Sequence, residues 1–311
     1  MKTRSRWVGP ISLILAASAW GGMYVVSKVL LTEMSAPLLM WIRYLIALVV
    51  LGFALVLRRA SWRVEPQHVL LVAAIGVIGY VISIGAQFVG TALSTAQMGS
   101  VVTAATPAFM VVFARLIRHE PITLRRALSL GAATLGVLVI AGIGPLGSRQ
   151  AVGGLILGAA ALTWALMSVM VKQVPHTYSP LLVTFYGMLV AWALLTPAAL
   201  GPFVRMLPRL TQWGTLEGLL YVGVVATAGA FFLWNQGVQA VSAAAAGIYF
   251  FLQPVVGTLL GWLVLKEPIR WGFLAGSILI VVGALLLSRE GRSGTLGEAL
   301  RTGPGEHPET S

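Results

Sequence analysis

The sequence predicts an all-α polytopic membrane protein with ten spanning helices, arranged as two related halves of five helices each. Three observations carry this prediction: an apolar composition, ten apolar runs of spanning length, and an internal repeat. Hydrophobic residues make up 58% of the 311 positions and charged residues only 10%, whereas soluble domains carry about 25% charged residues. The mean hydropathy is +0.90. So few charges cannot cover a water-facing surface, which excludes a soluble globular protein.

Each apolar run is close to the roughly 20 residues that a helix needs to cross a bilayer. The runs lie at 8–27, 37–57, 68–90, 95–117, 124–143, 152–172, 180–200, 215–236, 242–265 and 268–288. They divide the chain into a cytoplasmic N-terminus (1–7), a first repeat (8–143), a linker (144–151), a second repeat (152–288) and a cytoplasmic tail (289–311). The tail is polar and rich in Gly, Glu and Pro, a composition that predicts disorder.

The start of the chain allows a second interpretation, a cleaved signal peptide. Lys2, Arg4 and Arg6 precede an apolar run, and Ala17-Ser18-Ala19 resembles a cleavage site. We favour a spanning helix, because the apolar run continues past Ala19 and the repeat extends across the cleavage point.

The formal charge of +12 is explained by the loops between the spans. If the N-terminus is cytoplasmic, fourteen of the 21 Lys and Arg residues lie on the cytoplasmic side, six lie outside, and Arg43 alone lies within a span. Cytoplasmic loops carry such an excess of basic residues. We therefore expect a multi-pass protein of the cell membrane with both termini in the cytoplasm, and no nucleic-acid partner.

The two halves align with shifts of 143 to 147 residues. Trp20 and Lys28 are eight residues apart, as are Trp164 and Lys172. The other matches are Pro37 with Pro180, Thr106-Pro107 with Gln253-Pro254, Glu120-Pro121 with Glu267-Pro268, and Gly136 with Gly283. Because each half has an odd number of spans, the second enters the membrane from the opposite side. Inverted repeats of this kind are typical of secondary transporters, whose substrate site lies near the midplane; a scaffold without transport activity is the alternative.

Several of these residues resemble the EamA repeat of the drug/metabolite transporter superfamily. They are Ala19-Trp20-Gly21, Pro37 followed by Arg43, and the block that runs from Ala92-Leu93-Ser94-Thr95-Ala96 through Pro107 to Glu120-Pro121. The resemblance covers about residues 8–288 and implies two inverted-topology five-helix EamA repeats that export or take up small metabolites. The second half departs from the pattern, with Trp164-Ala165 in place of Trp20-Gly21 and Tyr186 in place of Arg43.

Polar and aromatic side chains within the spans form the candidate substrate site. The amides have no reason to face lipid, where unpaired polar groups are costly. We expect the whole set to line a midplane cavity between spans one, three, four, six, eight and nine. The set is Trp20, Tyr24, Tyr80, Gln87, Gln97, Thr103, Trp164, Ser168, Trp234, Asn235, Tyr249 and Gln253. Pro107 and Pro254 each remove a backbone hydrogen bond and are expected to kink spans four and nine. The alternative is that the amides only join helices.

Three basic residues are candidates for gating or structural roles. Arg43 could hold an anionic group such as a substrate carboxylate, or it could bond helix-end carbonyls of the first or third span; we favour the structural role. Lys28 and Lys172 mirror each other at the ends of spans one and six. They are expected to anchor the helices at the interface, and the alternative is that each is a gate residue.

The residue types present narrow the function. The chain has no Cys, no Asp and no HExxH motif, and none of its Glu residues lies at a predicted span centre. We therefore expect no enzyme activity, no metal ion and no cofactor, and no carboxylate relay for protons.

The expected function is a secondary transporter, an exporter or a facilitator, that moves small neutral or zwitterionic metabolites such as amino acids by alternating access. A multidrug or lipophilic-compound exporter and a proton-coupled antiporter are the alternatives. The expected partners are the substrate and the lipid bilayer, with the chain as a monomer or homodimer.

Overall fold

The computed structural model describes residues 7–141, 148–175, 177–210, 212–240 and 249–301. Over these ranges the chain is helical, with short connections, and the predicted fold class is confirmed. We number ten helices: α1 (Val8–Glu33), α2 (Ala36–Leu57), α3 (Pro66–Leu93), α4 (Ala96–Ile117), α5 (Leu124–Ala141), α6 (Arg149–Val171), α7 (Pro180–Leu210), α8 (Trp213–Leu220, Tyr221–Gly229 and Ala230–Ala240), α9 (Leu252–Leu265) and α10 (Trp271–Arg301).

Length and composition identify the helices that can cross a membrane. Among the described residues, α1 to α4 and α6 to α8 are long and apolar enough to do so, and Leu252–Leu265 and Trp271–Leu286 are shorter apolar helices. Large apolar side chains such as Phe53, Leu70 and Ile278 are well exposed on the outside of the bundle. In water such a surface would be unfavourable, so it is the surface that faces lipid.

Several helix ends, among them those of α6, α7 and α10, differ from the sequence-based boundaries. Helix α6 begins at Arg149 because Ser148 caps it: the Ser148 hydroxyl accepts a hydrogen bond from the Ala151 backbone N–H at 3.2 Å. Helix α7 continues to Leu210 through three internal prolines, which membrane helices tolerate better than soluble ones. Helix α10 continues to Arg301, into the segment assigned to the tail. Residues 144–147 of the linker and 302–311 of the tail lie outside the described residues.

The two halves are interleaved rather than set side by side. Helix α1 packs on α8 and α9 of the second half, and α6 packs on α3 and α4 of the first half. Helices α2 and α7 pack on each other, as do α5 and α10. Exchanging the halves turns this pattern of contacts into itself, as the inverted repeat requires.

Close helix crossings occur in pairs that the repeat relates. A Cβ atom on Gly90 would lie 2.9 Å from the Gly153 carbonyl oxygen, and one on Gly237 would lie 3.1 Å from the Gly9 carbonyl oxygen. Gly9 and Gly153 occupy equivalent positions in the two halves, as do Gly90 and Gly237. The α1–α8 and α3–α6 crossings are therefore the same contact made twice, once on each side of the pseudo-two-fold axis.

Two helices are widened at equivalent points. Residues Gly76–Ser83 of α3 and Tyr221–Gly229 of α8 are π-helical, a geometry that is rare and often found at functional sites. The two segments overlap when the halves are aligned, since Gly76 corresponds to Gly223. Helix α4 is also interrupted, by a 3₁₀ turn at Thr103–Ala105 just before Pro107. All three irregular stretches border the space between the halves.

The crossing of α5 and α10 supplies a test of the interleaved packing. A Cβ atom on Gly136 would lie 2.6 Å from the Gly276 carbonyl oxygen and 2.7 Å from Ile280 Cγ1. We expect Gly136→Leu to lower the free energy of unfolding by about 1–3 kcal/mol, the usual cost of overpacking, seen as a lower melting midpoint in detergent. The control is Gly131→Leu on the same helix, where a Cβ atom meets nothing within 4 Å. Equal midpoints for the two variants would contradict the crossing.

Candidate functional site

A small cavity of about 80 Å³ lies between the two halves, below the roughly 300–1,000 Å³ of typical small-molecule sites. Its lining comes from α1, α2, α3, α4, α6 and α8, from α9, and from Phe250 just before α9. Six residues of the candidate set line it: Trp20, Tyr24, Gln87, Thr103, Trp164 and Gln253. The sequence-based assignment missed Met23, Ser83, Ile84, Thr106, Ala160, Phe231 and Phe250 as lining residues. Most of these are apolar or small, and only their positions on the inward helix faces could have indicated them.

Three polar side chains form a hydrogen-bonded cluster on one wall of the cavity. The Tyr24 hydroxyl lies 2.6 Å from Thr103 Oγ1, and Gln253 Nε2 donates to both oxygens, at 3.3 Å and 3.2 Å. Thr103 also donates to the Gly99 carbonyl oxygen at 2.8 Å. All three side chains are buried. The cluster joins α1, α4 and α9, so it crosses the boundary between the halves.

The positions of Thr103 and Gln253 follow from the interruptions in their helices. Thr103 begins the 3₁₀ turn that precedes Pro107, and Gln253 directly precedes Pro254, next to the turn at Phe251 that begins α9. Proline lacks the N–H that would continue the preceding turn of a helix. Each proline thus lies close to a helix break, and next to each break one polar side chain lines the cavity.

Aromatic rings form a second wall. The ring centroid of Trp20 lies 5.6 Å from that of Phe231, 5.2 Å from that of Trp234 and 6.0 Å from that of Phe250. The indole N–H of Trp20 donates to the Ala226 carbonyl oxygen at 3.1 Å, which fixes the plane of the ring. These distances are those of favourable aromatic pairs. The wall offers a flat apolar surface whose faces can also attract a cation.

Arg43 lies inside the protein and lines the cavity. Only 3% of its surface is exposed, its Nε donates to Thr227 Oγ1 at 2.6 Å, and its Nη1 is buried without a hydrogen-bond partner. The guanidinium carbon lies 5.9 Å from the ring centroid of Tyr44 and 5.6 Å from that of Phe88. The structural role favoured from the sequence involved helix-end carbonyls, but the observed partner is a side chain of α8. The π-helical turn of α8 brings Thr227 there.

The other residues of the candidate set lie around the cavity rather than on it. Tyr80 packs edge-on against Trp164 with centroids 6.1 Å apart, and Ser168 donates to the Trp164 carbonyl oxygen at 2.7 Å. Gln97 Nε2 donates to the Glu267 carbonyl oxygen at 3.0 Å. The ring of Trp234 packs against that of Trp20 at an interplanar angle of 49°, and Tyr249 is half-buried beside α9. The side chain of Asn235 lies outside the described part of the chain.

At one end of the cavity, Lys28 closes the turn between α3 and α4. Its Nζ donates to the carbonyl oxygens of Thr91, Ala92 and Ser94 at 2.7, 2.9 and 2.6 Å. These carbonyls end α3 and have no partner within the helix. The Lys28 ammonium therefore caps α3, a role different from the interface anchor that was expected, and it was not recognisable from sequence because the acceptors are backbone atoms.

The same turn is held from the other half by Glu267. Its two carboxylate oxygens accept the Ala96 and Gln97 backbone N–H groups at 2.8 and 3.0 Å, and Glu267 is only 8% exposed. A carboxylate is favourable at a helix N-terminus, and this one caps α4 rather than the helix that follows it in sequence. We call Lys28 and Glu267 the turn clamp, because they hydrogen-bond the backbone groups on the two sides of the α3–α4 turn.

Lys172, the repeat counterpart of Lys28, has a different environment. It follows the last residue of α6 and is exposed. The residues at 241–248, which correspond to the start of α4 in the second half, lie outside the described residues. The two lysines are therefore not equivalent in this conformation.

Comparisons with known proteins agree with the fold and the repeat. The profile of the EamA-like transporter family matches residues 7–142 and 152–289, one match for each half. The uncharacterized transporter YetK of Bacillus subtilis (strain 168) is 27% identical over 89% of this chain and 86% of its own length. The uncharacterized transporter YyaM of the same organism is 23% identical over 78% and 80%.

Two further comparisons cover very different lengths. The putative permease-like protein YdzE of Bacillus subtilis (strain 168) is 52% identical over 71 residues, which is 23% of this chain and 91% of that protein. A solved crystal structure superposes with a TM-score of 0.60 over 94% of this chain and 99% of that one, at 20% identity. The superposition supports the fold alone.

The turn clamp supplies a test of the site geometry. We expect Glu267→Gln to lower the free energy of unfolding by about 1–3 kcal/mol, since one accepting oxygen becomes an NH₂ group and a buried N–H loses its partner. The change preserves volume, so no cavity is created. The control is Glu217→Gln on the exposed side of α8, which should stay within about 0.5 kcal/mol of the parent. Melting midpoints in detergent measure both, and equal midpoints would contradict the clamp.

Proposed function

The chain belongs to the EamA-like transporter family, and on that premise we propose that it is a secondary transporter of small neutral or zwitterionic metabolites such as amino acids. The observation that carries the proposal is the cavity at the boundary between the halves, with a hydroxyl–amide cluster on one wall and aromatic rings on another. Binding sites of inverted-repeat transporters lie at this position.

Alternating access is supported by the asymmetry between the two ends of the cavity. The turn clamp joins α1, the α3–α4 turn and the α9–α10 turn at one end, while the repeat-related Lys172 at the other end is exposed. If both termini are cytoplasmic, as the loop charges predict, the clamped end is the outer one. We propose that this conformation is closed to the outside, and that the opposite conformation exchanges the environments of the two lysines.

The lining of the cavity supports transport that is driven by the substrate gradient. Its described residues include hydroxyls, amides, aromatic rings and one guanidinium, but no carboxylate and no imidazole. Proton-coupled carriers usually need a titratable group within the membrane. A proton-coupled antiporter is therefore less well supported than a facilitator or exchanger.

A lipophilic-cation exporter is also less well supported. The aromatic wall would suit such compounds, but Arg43 places a positive charge on the cavity with no carboxylate among the described lining residues to offset it. A bound cation would be repelled at close range and in low dielectric.

The two tryptophans that line the cavity give a direct test. We expect Trp20→Ala and Trp164→Ala each to lower the rate of amino-acid counterflow in proteoliposomes by roughly tenfold, because each removes about 1–2 kcal/mol of ring contact with the bound substrate. The control is Trp271→Ala, whose side chain is 87% exposed and should leave the rate unchanged. Normal counterflow rates in both cavity variants, at normal expression, would contradict the assignment of this cavity as the substrate site. No counterflow of any amino acid by the parent protein would overturn the proposed substrate class.

The energy source is tested in the same vesicles. Without a carboxylate relay, an imposed pH gradient should not drive accumulation of substrate above its equilibrium level, whereas a preloaded substrate should drive exchange at the same rate with or without the gradient. The comparison variant is Glu217→Gln, because Glu217 is a carboxylate near the start of α8. Accumulation that depends on the pH gradient and survives this substitution would show that protons are coupled by another route.

A further inference from the structure

Arg43 is a buried cation with an unused hydrogen-bond donor. Its Nε donates to the Thr227 hydroxyl, which in turn donates its one proton to the Val222 carbonyl oxygen at 2.6 Å. The Arg43 Nη1 atom is buried and has no partner. A charged donor in this state is costly, because burial removes its water and nothing replaces it.

No acidic side chain among the described residues compensates this charge. The ion pairs in that part of the chain join Glu65 with His68 and Glu120 with Arg126. The sequence of residues 241–248, which the structure does not describe, contains no Asp or Glu. The positive charge of Arg43 therefore faces an internal cavity, where an anionic group of a bound ligand would neutralise it.

A second unused donor lines the same cavity. The Nε2 atom of Gln87 is buried without a partner, and the next residue, Phe88, holds its ring 5.6 Å from the Arg43 guanidinium. The other polar groups that line the cavity from α1, α4 and α9 are bonded to one another or to the backbone. Arg43 and Gln87 are therefore the described lining residues with buried donors that have no partner.

We propose that Arg43 and Gln87 form the carboxylate-binding subsite of the transporter, so that its substrates are small molecules with one carboxylate and a largely apolar body. The inference rests on the proposed transport function and narrows it, since uncharged metabolites without a carboxylate are excluded. Arg binds carboxylates through parallel N–H donors, and the neutral Gln amide adds a donor without adding charge.

The charge and the lining of the cavity favour a single carboxylate group over a phosphate. Arg43 is the one basic residue among the described lining residues, so a dianion would bring an unpaired negative charge into an apolar space. Met23, Ile84, Phe231 and Phe250 make much of the remaining surface apolar. The body of the ligand would lie against these side chains and the Trp20 ring.

The test compares matched ligands on the full-length protein in detergent. The probes are 4-methylpentanoate against 4-methylpentanamide, and leucine against leucinamide, with sodium chloride at the same concentration as a separate arm. Apparent Kd values come from the shift of the melting midpoint with ligand concentration. We expect each carboxylate to bind roughly tenfold or more tightly than its amide, since a hydrogen-bonded charge pair is lost in the amide.

Three variants assign the effect to the subsite. Arg43→Gln should abolish the preference for carboxylate over amide, and Gln87→Met, which keeps volume and charge, should weaken carboxylate binding by a few-fold. Arg205→Gln, at an exposed position of α7, should change neither. Because the ligand pairs are first compared on the parent protein, the test does not depend on Arg43→Gln folding well.

Several outcomes would overturn the proposal. They are equal binding of carboxylate and amide by the parent protein, no binding of either, or a preference that persists in Arg43→Gln. Protection by chloride equal to that by the carboxylates would identify an inorganic-anion site instead. Transport of amides or amines with no preference for carboxylates would reject the carboxylate subsite but support the transport function. Carboxylate binding without any counterflow would support the subsite but reject the transport function.

Discussion

Unpaired backbone groups at helix ends are the constraint on which the rest of this structure depends. In an apolar bilayer no water is available for them, so each must find a partner within the protein. The turn between α3 and α4 meets this demand with two charges from elsewhere: Lys28 takes the last carbonyls of α3, and Glu267 takes the first amides of α4. Lys28 lies on α1 and Glu267 lies in the α9–α10 turn. The hydrogen bonds that satisfy the α3–α4 turn therefore also join the two halves.

Glycine crossings set the distance at which the halves meet. The α1–α8 and α3–α6 crossings use equivalent glycines, and Gly136 against Gly276 repeats as Gly283 against Ser129, where a Cβ atom would lie 2.8 Å from the Ser129 carbonyl oxygen. Small residues at such positions let helix backbones approach closely in membranes. Four of the helices that cross in this way, α1, α3, α6 and α8, also line the cavity. The packing and the cavity are thus parts of one arrangement.

The architecture could be predicted from the sequence, but the hydrogen-bond partners of individual side chains could not. Apolar runs and the offset between Glu120-Pro121 and Glu267-Pro268 predicted ten helices in two halves, because span length and repeat spacing are local properties. The inward direction of Gln253 and Thr103 followed from the cost of facing lipid. By contrast, the acceptors of Lys28 are backbone carbonyls, and the partner of Arg43 depends on a π-helical turn in α8. Neither has a signature in sequence, since both require the three-dimensional crossing to be known.

The departures from symmetry identify where the two halves have separate tasks. Tyr186 takes the place of Arg43 in the second half, and its hydroxyl donates to the Trp62 carbonyl oxygen at 2.8 Å, near the surface. A guanidinium in both halves would bring two like charges to the boundary, with a strong mutual repulsion in low dielectric. A single Arg43 avoids that repulsion. It also makes the cavity asymmetric, because the charge lies on one side of the pseudo-two-fold axis and the aromatic wall is formed by α1 and α8. The helix crossings are thus symmetric between the halves, whereas this one pair of residues is not.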